Sequence, residues 1–136
     1  MELTLTKNII FKMLIAFVSL LLFDLVWFYF TTKSLYTPAI QNVSNKTDTK
    51  FRLGGGVIAW TIMAFALSVQ NPTSIQDALL YGAFIGLIIY GVFNGTNYAI
   101  FDGWSSKISL VDTTWGIVNC MIASAVLYLL FPTSIS

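Results

Sequence analysis

Two aspartates inside apolar stretches are the residues of this sequence that point most directly to chemistry. Asp24 is followed three residues later by Trp27, and Asp112 is followed at the same spacing by Trp115. Residues three apart share one face of a helix, so each segment presents a carboxylate beside an indole N–H donor. A carboxylate within hydrocarbon costs about 2.5–3.5 kcal/mol on insertion scales, so it requires a partner or a function such as binding a proton or a cation.

Three asparagines are expected near these aspartates. Asn94 and Asn97 lie toward the end of the third apolar stretch, and Asn119 follows Asp112 by two helical turns. We predict that these side chains line one polar pocket in a single leaflet of the membrane, open to an ion or a small solute. The predicted pocket consists of Asp24, Trp27, Asn94, Asn97, Asp112, Trp115 and Asn119.

A purely structural interpretation stays open for each of these residues. Ser109 precedes Asp112 by three positions, which fits a capping box at the start of a helix. Asp24 and the asparagines can join helices by hydrogen bonds, which are worth around 0.6 kcal/mol each in membranes. The other two tryptophans, Trp60 and Trp104, are not included in the predicted pocket. Trp104, directly after Gly103, is predicted to anchor the chain at the membrane interface.

The composition argues against several classes of function. The chain has no His and a single Cys, so no zinc site, haem site, Cys/His catalytic pair or intrachain disulfide is expected, and we predict no metal, cofactor or catalytic residue. A net charge of +1 without a basic run argues against binding nucleic acid. With 57% hydrophobic and 10% charged residues, against about 25% charged in soluble domains, the chain is predicted to be an integral membrane protein.

Four apolar runs are candidates to cross a bilayer core about 30 Å thick. They cover residues 9–30, 53–69, 78–99 and 110–131, and the second is short and begins with glycines. We therefore predict an all-α membrane protein with one transmembrane domain over residues 1–136, whose four helices form a compact bundle. The lipid bilayer is its expected partner.

The basic residues predict an orientation. Five of them lie in the segments 31–52 and 100–109, and two lie on the opposite side of the membrane. The positive-inside rule therefore places both segments in the cytosol and both termini on the other side.

Glycines indicate where helices approach one another. Gly82 with Gly86, and Gly91 with Gly95, form two small-xxx-small pairs on the third span, and Gly116 begins a small-residue stripe on the fourth. Because lipid supplies no hydrophobic force between helices, small residues mark close packing. The third span is thus predicted to be the packing centre.

Several segments together resemble a known family. They are Asp24-Leu25-Val26-Trp27 with Tyr36 downstream, residues 90–99, Gly103-Trp104, and Asp112-Thr113-Thr114-Trp115-Gly116. In these segments the chain resembles the small predicted membrane proteins grouped as domain of unknown function 2177. The resemblance implies four transmembrane helices and no established chemistry. The position of Asn94 is usually acidic in that family, so this chain departs from the pattern there.

Three functions compete on this evidence. The leading hypothesis is a protein that binds or moves a proton, another cation or a small solute, with Asp24 and Asp112 as the binding groups; a full path would require a homo-oligomer. The second is a lipid-acting membrane enzyme that uses both carboxylates, and the third is a non-catalytic scaffold. We favour a role without catalysis.

The orientation can be tested by cysteine labelling. We predict that a cysteine introduced by Asn45→Cys reacts only from the cytosolic side, because the segment 31–52 carries most of the basic charge. The parent chain, whose Cys120 is predicted to pack inside the fourth span, is the control. Labelling of residue 45 from outside intact cells would reverse the assignment.

Overall fold

The computed structural model describes residues 2–46 and 50–132, with side chains from residue 8 onward. All of its elements are helices, and no strand occurs among the described residues. They are α1 (Glu2–Thr31), a π-helical turn (Thr32–Tyr36), α2 (Thr37–Ser44), α3 (Leu53–Ser68), α4 (Ile75–Ile100) and α5 (Ser106–Leu130). The predicted all-α class is confirmed.

Four of the helices are apolar. α1, α4 and α5 are long and apolar enough to cross a membrane, whereas α3, with 16 residues, is about 24 Å long. Large apolar side chains point outward from each of them, including Leu14, Ile62, Phe84 and Leu129, which are 58, 61, 60 and 68% exposed. An outward face of this kind suits lipid, so the chain is a helical membrane protein.

The first part of the predicted 31–52 loop is helical. Pro38 has no N–H to donate, so the regular hydrogen-bond ladder is interrupted there. The chain adapts by a π-helical turn, in which the N–H of Thr37 reaches back to the carbonyl of Thr32. α2 ends at Ser44, and its C-cap residue Asn45 has a left-handed backbone (φ 53°), which Asn tolerates better than most residues. As a result, residues 32–44 continue from α1 as a helical segment.

α5 begins earlier than the capping-box interpretation of Asp112 requires. Ser105 is the N-cap, and its side chain accepts a hydrogen bond from the N–H of Ile108 at 3.3 Å. Ser109 lies inside the helix, and its hydroxyl donates to the carbonyl of Ser105. The expected cap at Ser109 is therefore wrong, and Asp112 occupies the second turn of α5.

α5 shares the most extensive helix–helix interface of the described bundle, its contact with α4. It packs against α4 from Ala78 to Asn94, and residues 101–105 connect the two helices. It also contacts α1 and α3, whereas α4 packs mainly on α5. A Cβ atom at Gly82 or Gly86 would lie 2.4 or 2.6 Å from a backbone carbonyl oxygen of α5. The prediction that the third span is the packing centre is wrong, because its glycines serve a single interface.

The other glycine pair on α4 faces open space. A Cβ at Gly91 would meet only a side chain of its own helix at 3.7 Å, and one at Gly95 would meet nothing within 4 Å. Neither glycine makes the predicted packing contact. Gly116 does lie at an interface, since the ring of Tyr90 covers it and a Cβ there would come within 2.1 Å of that ring.

The buried apolar core lies between α1, α3 and α5 and consists largely of small and medium side chains. Its buried members are Ala16, Leu20, Trp60, Met63, Ala64, Leu67, Cys120, Ala123 and Leu127. A second, smaller cluster of Ala39, Trp104 and Ile108 joins α2 to the start of α5. These two clusters hold the helix segments that carry the polar side chains described below.

Gly86→Ala should lower the free energy of unfolding in detergent by about 1–3 kcal/mol, because the added methyl group would overlap the α5 backbone. Gly95→Ala is the matched control on the same helix. Its methyl group meets nothing, so it should leave stability unchanged or raise it by up to about 1 kcal/mol through helix propensity. Equal stability of the two variants would contradict the α4–α5 contact.

Candidate functional site

Asp24 lies inside the bundle, where three hydrogen-bond donors meet its carboxylate. It is 2% exposed. Oδ1 accepts from the indole Nε1 of Trp115 and from the amide Nδ2 of Asn119, both at 2.8 Å. Oδ2 accepts from Nε1 of Trp60 at 2.7 Å. Since Trp60 is on α3 and the other two donors are on α5, this one carboxylate ties α1 to both helices.

Asp112 forms a second centre of hydrogen bonds and is 6% exposed. Its Oδ1 accepts from the hydroxyl of Tyr36, which lies in the π-helical turn. Its Oδ2 accepts from Nδ2 of Asn94 on α4 at 2.7 Å. Asp112 therefore joins α5 to α4 and to the segment that follows α1.

The remaining two tryptophans complete the network. Nε1 of Trp27 donates to the hydroxyl oxygen of Tyr36 at 2.9 Å, and Nε1 of Trp104 donates to Oδ1 of Asn94 at 3.3 Å. All four tryptophans of the chain thus donate their indole N–H to a member of the network. We call these residues the Asp–Trp network: Asp24, Trp27, Tyr36, Trp60, Asn94, Trp104, Asp112, Trp115 and Asn119.

In the two Asp-x-x-Trp segments, each tryptophan serves the aspartate of the other segment. Trp115, which follows Asp112 in sequence, donates to Asp24, whereas Trp27, which follows Asp24, serves Asp112 through the hydroxyl of Tyr36. The two indole rings stack with centroids 4.5 Å apart and planes 3° from parallel. The stacked pair therefore connects the two carboxylate centres, which share no direct hydrogen bond.

Six of the seven predicted pocket residues belong to this network, and Asn97 does not. Its side chain is half-buried and forms no hydrogen bond, while its backbone carbonyl accepts from the N–H of Phe101. Trp104 is buried, at 8% exposure, so its prediction as an interface anchor is wrong.

Tyr36 and Trp60 were not predicted as site residues. Tyr36 stands in a polar segment, and only its place among the family-like motifs singled it out. Trp60 is the only side chain with an N–H donor in the apolar run 53–69, so a buried acceptor such as Asp24 could have indicated it.

The electrostatics of the network are unusual for two buried acids. Every described hydrogen-bond partner of the two carboxylates is neutral, and no lysine or arginine among the described side chains forms an ion pair with them. No group of three or more His, Cys, Asp or Glu that could hold a metal occurs among the described residues. Two formal negative charges are thus enclosed by dipoles alone.

One atom beside Asp24 has no hydrogen-bond partner. Asn119 is fully buried, and its Nδ2 donates to Asp24 and, at 3.3 Å, to the carbonyl of Leu20. Its Oδ1 is the buried side-chain acceptor without a donor in the described part of the chain. A buried acceptor of this kind calls for a proton donor next to it.

The chain belongs to the family of predicted membrane proteins designated DUF2177, whose family model matches residues 9–129. No curated protein and no solved structure matches the chain.

Tyr36→Phe should lower the free energy of unfolding by about 1–3 kcal/mol, because it removes a donor to Asp112 and leaves the N–H of Trp27 without an acceptor. Tyr29→Phe is the matched control, since Tyr29 is 84% exposed. Unfolding of both variants in the same detergent measures the difference. If the two variants unfold alike, Tyr36 does not bridge the two segments.

Proposed function

For this member of a family without established chemistry, we propose that the Asp–Trp network is a proton-binding site in the membrane and that the protein binds or moves protons. Charge balance is the first support. Leaving two carboxylates ionised away from water and without a cation is costly, and a bound proton removes one of the two charges.

The observation that carries the proposal is the unpartnered Oδ1 of Asn119. The amide of Asn119 already donates to Oδ1 of Asp24. A proton on Oδ2 of Asp24 can donate to the amide oxygen and close a cyclic acid–amide pair. Oδ2 keeps a lone pair for the N–H of Trp60, so this protonated form satisfies every polar atom around Asp24.

The polarity of the site favours a proton over a metal cation. The side chains around the two carboxylates are turned with N–H or O–H groups toward the oxygens, and these positive dipole ends would repel a metal ion. Hard cations also require several oxygen ligands, which this arrangement does not offer. A proton needs neither additional ligands nor space.

Movement of a proton across the membrane requires a route in addition to the binding site. Four helices alone seldom enclose a complete path, and Asp24 and Asp112 are almost fully buried within one copy. We therefore propose a homo-oligomer that completes the route beside the site. Residues 32–44 and the α4–α5 connection lie at the end of the bundle that holds the network. The basic residues counted in the segments 31–52 and 100–109 of the sequence favour a cytosolic position for that end.

Infrared difference spectroscopy from about pH 4 to pH 8 tests the binding step. We expect the carboxylic C=O band to appear in the parent, to vanish in Asp24→Asn, and to change frequency in Asn119→Ala, which removes the amide partner. Asp102→Asn is the matched control, because Asp102 is an exposed carboxylate near the same end of the bundle. It should leave the buried band unchanged.

Proton flux into liposomes that contain a pH-sensitive dye tests the activity. Asp24→Asn should lose flux, while Asp102→Asn should keep it. A buried band that survives in Asp24→Asn would contradict the proposed site. If Asp24→Asn only lowers stability and no band titrates in the parent, the network is structural and the scaffold interpretation holds.

A further inference from the structure

A separate cavity, lined by both polar and apolar side chains, lies at the other end of the bundle. It has a volume of about 460 Å³ and lies where the start of α1, the α3–α4 connection and the end of α5 meet. Its polar side chains are Asn8, Lys12, Ser68 and Asn71, and its apolar walls include Val69 and Phe131. Lys12 precedes Asp24 by 12 residues of one helix, about 18 Å, so this cavity is distinct from the Asp–Trp network.

Lys12 is held at the wall of this cavity by neutral acceptors. Its Nζ donates to the backbone carbonyl of Gln70 at 3.3 Å and to Oδ1 of Asn71 at 3.4 Å. Gln70 is itself fixed, because its side chain is 5% exposed and its Nε2 donates to the backbone carbonyl of Ser124 at 3.4 Å. The ammonium group is therefore positioned before any ligand arrives.

The charge of Lys12 has no counter-charge among the described side chains, since both of its partners are neutral. An ammonium carries three N–H groups, and two of them account for the observed contacts. Asn71 accepts through Oδ1, so its Nδ2 remains a donor. Together with the amide of Asn8 on the same wall, these groups offer one positive charge and neutral donors, which is the recognition chemistry of an oxyanion.

The position of the cavity suggests which oxyanion it takes. Lys12 lies in the first turn of the apolar run 9–30, so a helix that spans the membrane with this run places Lys12 close to the lipid headgroups. Val69 and Phe131 provide an apolar side to the same cavity. We propose that this cavity binds the phosphate group of an anionic phospholipid, with Lys12 as the charged contact and the amides of Asn8 and Asn71 as additional donors.

Native mass spectrometry of the full chain in detergent tests the proposal with two probes, dioleoylphosphatidylglycerol and dioleoylphosphatidylcholine. We expect one phosphatidylglycerol to bind more tightly than phosphatidylcholine. Lys12→Gln should weaken phosphatidylglycerol binding about tenfold or more, which is the effect of losing a charged hydrogen bond. Lys33→Gln, an exposed lysine beyond the other end of α1, removes the same charge and should bind as the parent does.

Two further variants keep the test decisive if Lys12→Gln fails to fold. Lys12→Arg should retain binding, and Asn71→Leu, at an exposed connection, should weaken it several-fold. Equal affinity for the two lipids, or equal losses in Lys12→Gln and Lys33→Gln, would overturn the site.

Competition with inorganic phosphate distinguishes a phospholipid headgroup from free phosphate as the ligand of the cavity. Retention of phosphatidylglycerol in the presence of phosphate supports a lipid headgroup as the ligand. Displacement by phosphate, lost in Lys12→Gln, would overturn the lipid assignment and leave a site for the free anion.

Discussion

In this bundle, the carboxylate of Asp24 must find its hydrogen bonds inside the protein, because hydrocarbon offers none. Its three donors come from α3 and α5, so the distances between α1 and these helices are set by indole and amide side chains of fixed length. The rest of the core follows this constraint. Small residues such as Ala16, Ala64 and Ala123 fill the space that remains between helices held at that separation.

The exchange of tryptophans between the two aspartates makes the two centres interdependent. Trp115 lies one helical turn from Asp112 yet donates to Asp24, and its ring stacks on Trp27, which serves the other centre through Tyr36. A shift of α5 along its axis would disturb both carboxylates together. Side-chain networks of this kind act as a unit, and their energies do not divide into separate pairs. The segment 32–44 enters the unit through one hydroxyl group, that of Tyr36.

Length and hydropathy were sufficient to predict the four apolar helices. The cost of burying a carboxylate was sufficient to predict that Asp24 has partners inside the bundle. The hydrogen-bond and packing partners were harder to predict. Helical periodicity predicts which face of a helix a residue lies on, but it does not predict which other helix packs against that face. Gly86 and Gly95 belong to the same sequence pattern, but one packs on α5 and the other faces open space. Tyr36 was missed because Pro38 converts an expected polar loop into a π-helical turn, which aims its hydroxyl at Asp112.

The structural and the functional interpretations of the network differ by one proton at Asp24. With the proton absent, the carboxylate is a fixed acceptor for three donors, and the amide oxygen of Asn119 stays unpaired. With the proton present, the same side chain becomes a donor to Asn119, and the bonds from α3 and α5 meet a neutral acceptor, for which hydrogen bonds are weaker. Protonation would thus loosen Trp60 on α3 and Trp115 on α5 while tightening Asn119. Because Asn94 of α4 donates to Asp112 and not to Asp24, the hydrogen bonds that protonation of Asp24 would change join α1 to α3 and to α5, and the bond between α4 and α5 would stay unchanged.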